Sequence, residues 1–132
     1  MQSKAILGLA EATGVIAAAR AEAASHGWVV AIAVVDDGGH PLALERADGC
    51  APIGAYIALE KARSAALGRR ETKGYEDMVN GGRTAFVTAP LLTALEGGVP
   101  LAVDGQIIGA IGISGVKPEQ DAQIAKAGAA AL

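Results

Sequence analysis

The chain has 132 residues, 48 of them alanine or glycine and only four aromatic, with a net charge of −3, 52% hydrophobic and 19% charged residues. This is too apolar for a disordered chain, and its longest apolar run, Trp28 to Val35, is too short to cross a bilayer. The length fits one domain over residues 1–132, without a separate cofactor domain. Basic residues cluster only at Arg69, Arg70 and Lys73, so a nucleic-acid partner is not expected. Cys50 has neither a disulfide partner nor a CxxC or CxxH companion. The apolar stretch Ala5 to Ala10 is too short for a signal peptide, and the expected location is cytoplasmic. A core of alanine and glycine buries little apolar area per residue, so burial is expected to be completed in a homo-oligomer.

Apolar spacing predicts a first helix from Ser3 to His26, with Ser3 as N-cap and Gly27 as the stop. Trp28 to Val35 predicts a strand covered on both faces, and Asp36-Asp37-Gly38-Gly39 a turn. His40 to Arg46 predicts a second strand, in which period-two alternation places Leu42, Leu44 and Arg46 on one face. Pro52 opens a helix over Ile53 to Leu67 that Gly68 ends, with Ile53, Ile57, Ser64 and Leu67 along one face. Thr72 is placed to cap a short helix through Met78. The periodicity weakens between Arg69 and Ala89, and Pro90 to Leu95 reads as either a helical turn or a short strand. Two apolar runs joined by Asp104-Gly105 predict a hairpin, with Gly109 and Gly112 in the second run allowing close approach of a helix. Pro118 opens a last helix, with Glu119 and Asp121 placed favourably for its dipole. Together these elements predict an α+β domain with an antiparallel sheet.

No Walker, GxGxxG, GxSxG or HExxH motif is present. Arg46, on a leucine-bearing face, requires an anion, supplied by a ligand carboxylate or by Glu45, Asp48 or Glu60. Glu60-Lys61 is a candidate acid/base pair, or else a solvated helix face. Asp36, Arg63 and Thr72 are candidate ligand contacts, although turn formation alone explains Asp36 and capping alone explains Thr72. His26 and His40 each lack a second residue at metal-ligand spacing, so no metal site is read from either, and each is a weak candidate for a haem axial ligand.

The segment Ala33-Val34-Val35-Asp36-Asp37-Gly38-Gly39-His40, continuing through Glu45-Arg46-Ala47-Asp48-Gly49, resembles the VVDxGGHxLAxxRxDG signature of the GlcG/HbpS-like family, known also from the PduO C-terminal domain. Glu60-Lys61-Ala62, Gly68-Arg69 before Thr72, Gly97 to Leu101, Gly109 to Gly115 and Gln120-Asp121 extend the resemblance over nearly the whole chain. Ala47 and Arg63 depart from the usual residues of the pattern. The resemblance implies a profilin-like fold, a five-stranded antiparallel sheet flanked by helices and assembled into oligomers, with Leu91 to Leu95 as a short strand. The family includes haem-binding and haem-degrading proteins, which makes haem a possible cofactor; in a haem-binding reading Arg46, Lys61 or Arg63 are available to its propionates.

The residues and the resemblance support a small oligomeric ligand-binding protein that holds haem or a related cofactor as an accessory to a catabolic pathway. The alternative is a cofactor-independent isomerase, lyase or deaminase, in which Arg46 clamps the carboxylate of a small organic acid and Glu60 or Lys61 moves a proton.

Overall fold

The computed structural model describes residues 1–132. Its elements in chain order are α1 (Leu9–Ser25), β1 (Ala31–Asp36), β2 (Pro41–Arg46), α2 (Ile53–Gly68), α3 (Lys73–Asn80), a 3-10 turn (Thr84–Thr88), β3 (Gly98–Val103), β4 (Gln106–Ser114) and α4 (Pro118–Ala129). The strands form one antiparallel sheet in the order β2-β1-β4-β3. The α+β class is as predicted, but the sheet has four strands, not five.

The missing strand has an identifiable cause. Leu91 sits in the left-handed region at φ 56°, which breaks an extended run. The Thr93 N–H is taken by the Ser64 hydroxyl at 2.7 Å and the Glu96 N–H by the Glu76 carboxylate at 3.2 Å. At the start of β3, Gly98 exchanges bonds with Thr72: its N–H donates to the Thr72 hydroxyl at 2.8 Å and its carbonyl accepts the Thr72 N–H at 3.0 Å. The N–H groups of Thr93, Glu96 and Gly98 thus find partners on α2, on α3 and at Thr72 in place of a neighbouring strand.

Helix α1 starts at Leu9, not Ser3. Leu7 is buried in the main core, and Lys4 is tied to Asp37 at 2.7 Å, so tertiary contacts hold this segment against its helical propensity. At its other end the Trp28 N–H donates to the Ala23 carbonyl at 2.9 Å and Gly27 takes φ 69°, a left-handed closure. Trp28 therefore belongs to the helix stop, and β1 begins at Ala31. Asp104 and Gly105, at φ 51° and 75°, form the predicted hairpin turn with both central residues left-handed.

β1 is buried on both faces, as its uninterrupted apolar run predicts. Ile32 and Val34 join Ile111 and Ile113 of β4 in a core shared with α1 and α4, while Ala31, Ala33, Val35 and Ala110 meet α2. The α2 face that enters this second core is Gly54, Ala58, Lys61, Ala62, Ala65 and Ala66. Of the residues assigned by spacing to one apolar face, only Ser64 is buried, whereas Ile53 and Leu67 are exposed. Close packing explains the inversion, because the helix lies directly on the backbone of β4. A methyl group on Gly112 would collide with the Ala58 carbonyl and lie 2.5 Å from the Ala62 nitrogen. Gly112→Ala is therefore expected to destabilise the fold by about 1–3 kcal/mol. Urea unfolding reads this directly, and an unchanged midpoint would contradict the close-packing account.

Candidate functional site

The six side chains singled out from the sequence lie in several places. Arg46 and Leu44 pair with Ala31 and Ala33 and so share the α2 side of the sheet, but a register shift opposite Val34 and Val35 breaks the alternation before Leu42. Leu42 and Ala43 both pack against the α1/α4 core. Arg46 is exposed. Of the acids proposed for it, Glu45 is held by two bonds from Arg20 and Glu60 by Arg63.

Glu60 and Lys61 diverge. Glu60 accepts a bond from Arg63 one turn further along α2. Lys61 points into the protein, 4% exposed, and donates to the Ile113 carbonyl at 2.9 Å and to the Asp121 carboxylate at 3.0 Å. The other Asp121 oxygen accepts the Val116 N–H at 3.2 Å. Burial raises the Asp121 pKa above the ordinary carboxylate range, the opposing pull of the Lys61 ammonium notwithstanding. Asp121 has a larger part than the helix-dipole role its position suggests, since it binds α4 to α2 and β4. Thr72 stands at the N-cap position of α3 but makes no side-chain cap bond; its hydroxyl is fully buried on Gly98.

Asp36 closes β1 and organises the turn after it. One carboxylate oxygen accepts the N–H of Gly38 at 2.9 Å and of His40 at 3.0 Å. The His40 ring places Nδ1 3.1 and 3.2 Å from the two Asp36 oxygens. A carboxylate only accepts, so Nδ1 is the donor of this contact, and Nε2 makes no hydrogen bond within the protein. The His40 side chain is 78% exposed. Gly39, at φ 78°, gives this turn its left-handed corner, and the Arg63 stem and Leu67 lie over it. Asp36, His40, Arg63 and Leu67 thus form one corner, with Glu60 attached through Arg63. Arg46 stands at the far end of β2, about 20 Å away at the usual strand rise. No second ligand at metal-binding spacing marks His40 in the sequence. The signal was the carboxylate four residues earlier across a tight turn, an orienting partner and not a ligand.

The geometry defines a four-stranded antiparallel α+β domain with a buried Lys61–Asp121 pair and an exposed Asp36–His40 pair at the end of β1. The sequence profile of the family described as "Haem degrading protein HbpS-like" matches residues 7–130. The chain belongs to this HbpS-like family. Protein GlcG of Escherichia coli K12 is 69% identical over 114 residues, covering 86% of this chain and 85% of that protein. A crystal structure of a double mutant of HbpS from Streptomyces reticuli superposes with a TM-score of 0.90 at 32% identity, covering 100% of this chain and 90% of that one. The crystal structure of a PduOC:heme complex superposes with a TM-score of 0.86 at 27% identity, covering 97% of this chain and 96% of that one. No helix is long and apolar enough to cross a membrane.

Proposed function

We propose that this protein is a self-associating haem-binding accessory of a catabolic pathway, and that His40 would hold the haem iron. The observation that carries the reading is the Asp36–His40 pair: an exposed imidazole whose Nδ1 is fixed by a carboxylate, the arrangement that orients histidine ligands in metal sites. The surroundings suit haem. Leu67, 43% exposed, offers apolar surface to a macrocycle, and Arg63, whose stem lies over Gly39 and whose guanidinium is paired with Glu60, would meet a propionate by exchanging that partner. Haem supplies the redox-active iron when bound; the chain supplies the nitrogen ligand, its orientation and the counter-charge. Lys61 takes no part, because its ammonium is committed to Asp121. The family's description and the related PduOC:heme complex support the same reading.

Haemin titrated into the protein is expected to give a saturable Soret band at one haem per chain; the absence of any band would refute the reading. Self-association is supported by Leu44 and Tyr56, which are 42% and 75% exposed on β2 and α2. Light scattering after size exclusion is expected to give a multiple of the 13.1 kDa chain mass. A monomer at micromolar concentration would overturn this part.

A further inference from the structure

At the end of the sheet away from His40, a cleft of about 410 Å³ opens between the Gly27–Val29 segment, the start of α2 and the end of β4. Its apolar walls are Trp28, Val29, Ile53 and Val116, and no charged side chain lines it. Two small polar side chains, each at least nine-tenths buried, belong to the same wall. Ser114 is 8% exposed, and its hydroxyl makes no hydrogen bond. By the alternation of β4, in which Ala110 and Gly112 face α2, the Ser114 side chain also turns to the α2 side. Cys50 is 9% exposed, and its thiol reaches only the Ala51 and Ser114 carbonyls, at 3.6 and 3.9 Å.

The start of α2 adds donors without acceptors. Its N-cap position is Pro52, with no side-chain cap bond and no acidic residue in the first turn. The N–H groups of Ala51 and Ile53, both on the cleft wall, make no hydrogen bond within the protein. This mouth therefore offers backbone N–H groups, a hydroxyl and a thiol at the positive end of a 16-residue helix. It offers no carboxylate to an amine.

We propose that this cleft binds a small monocarboxylic acid with a short apolar body, its carboxylate at the start of α2 within reach of the Ser114 hydroxyl and its body against Trp28 and Ile53. The site lies apart from the His40 corner and does not depend on haem binding. Trp28 is the only tryptophan of the chain, so its fluorescence reports occupancy. Hexanoate is expected to shift the emission saturably, whereas hexylamine of the same tail length is expected to leave it unchanged. Ser114→Ala is expected to weaken hexanoate binding about tenfold, the loss of one hydrogen bond to a charged group. Should that variant not fold, amide spectra of the wild-type protein serve instead, with the Ala51 and Ile53 signals shifting on hexanoate addition. No saturable response to hexanoate, an equal response to hexylamine, unmoved Ala51 and Ile53 amides, or a Ser114→Ala variant binding as tightly as wild type would each overturn the proposal.

Discussion

Asp121→Ala is expected to lower the stability of the protein by about 3–5 kcal/mol, the range for removing one member of a buried ion pair. The cost arises mainly from what remains. The Lys61 ammonium, 4% exposed, would keep the Ile113 carbonyl but lose its counter-charge in a low-dielectric setting. The Val116 N–H would lose its acceptor as well. Replacing both partners, with Lys61→Met and Asp121→Leu, is expected to recover most of the loss, because the uncompensated charge disappears with the pair. Urea unfolding of the two variants separates these outcomes, and a double variant less stable than Asp121→Ala would contradict the account.

The pH dependence of the same group has a definite sign. Burial raises the folded-state pKa of Asp121, so the folded protein holds this proton more tightly than the unfolded chain does. The resulting stabilisation is fully present below the ordinary carboxylate pKa and is lost as pH rises through the raised folded value. Asp37, lowered mainly by its hydrogen bond from Lys4, acts in the opposite sense: its contribution is present above the ordinary range and lost as pH falls. Wild type compared with Asp121→Asn isolates the buried group, and the advantage of wild type is expected to shrink as pH rises through this window.

Asp36→Asn is expected to weaken haemin binding about 10–100-fold, the usual effect of removing the carboxylate that orients a ligating histidine. The amide oxygen can still accept the N–H groups of Gly38 and His40, so the turn is preserved and the loss falls on the imidazole. Titration of haemin against the variant gives the ratio of affinities. An unchanged affinity would remove Asp36 from the site.

The local elements were legible wherever short-range chemistry decides them. The Asp104-Gly105 turn, the Gly27 stop and the doubly buried β1 each follow from a few neighbouring residues. The fold departed from the sequence reading where a distant contact decides. Leu7 and Lys4 hold residues 3–8 out of α1, and Ser64 and Glu76 take backbone N–H groups that a fifth strand would have used. Helix α2 shows why spacing misled. Its large apolar residues trace a plausible core face, but a helix lying on Gly112 can bury only small ones, and alanine at nearly every third or fourth position was the relevant pattern. The candidate site divided in the same way. Asp36 and His40 are four residues apart across a tight turn, so their pairing is a local matter although the sequence reading does not make it, whereas the partner of Lys61 lies sixty positions away on α4 and no local pattern announces it.

Whether His40 presents its Nε2 to haem iron is read by titrating haemin into wild type and His40→Ala side by side and following the Soret band. The side chain is 78% exposed, so its removal should leave the fold intact. A saturable band at one haem per chain is expected in wild type and is expected to be lost in the variant. The same band at the same haemin concentration in both proteins would contradict it.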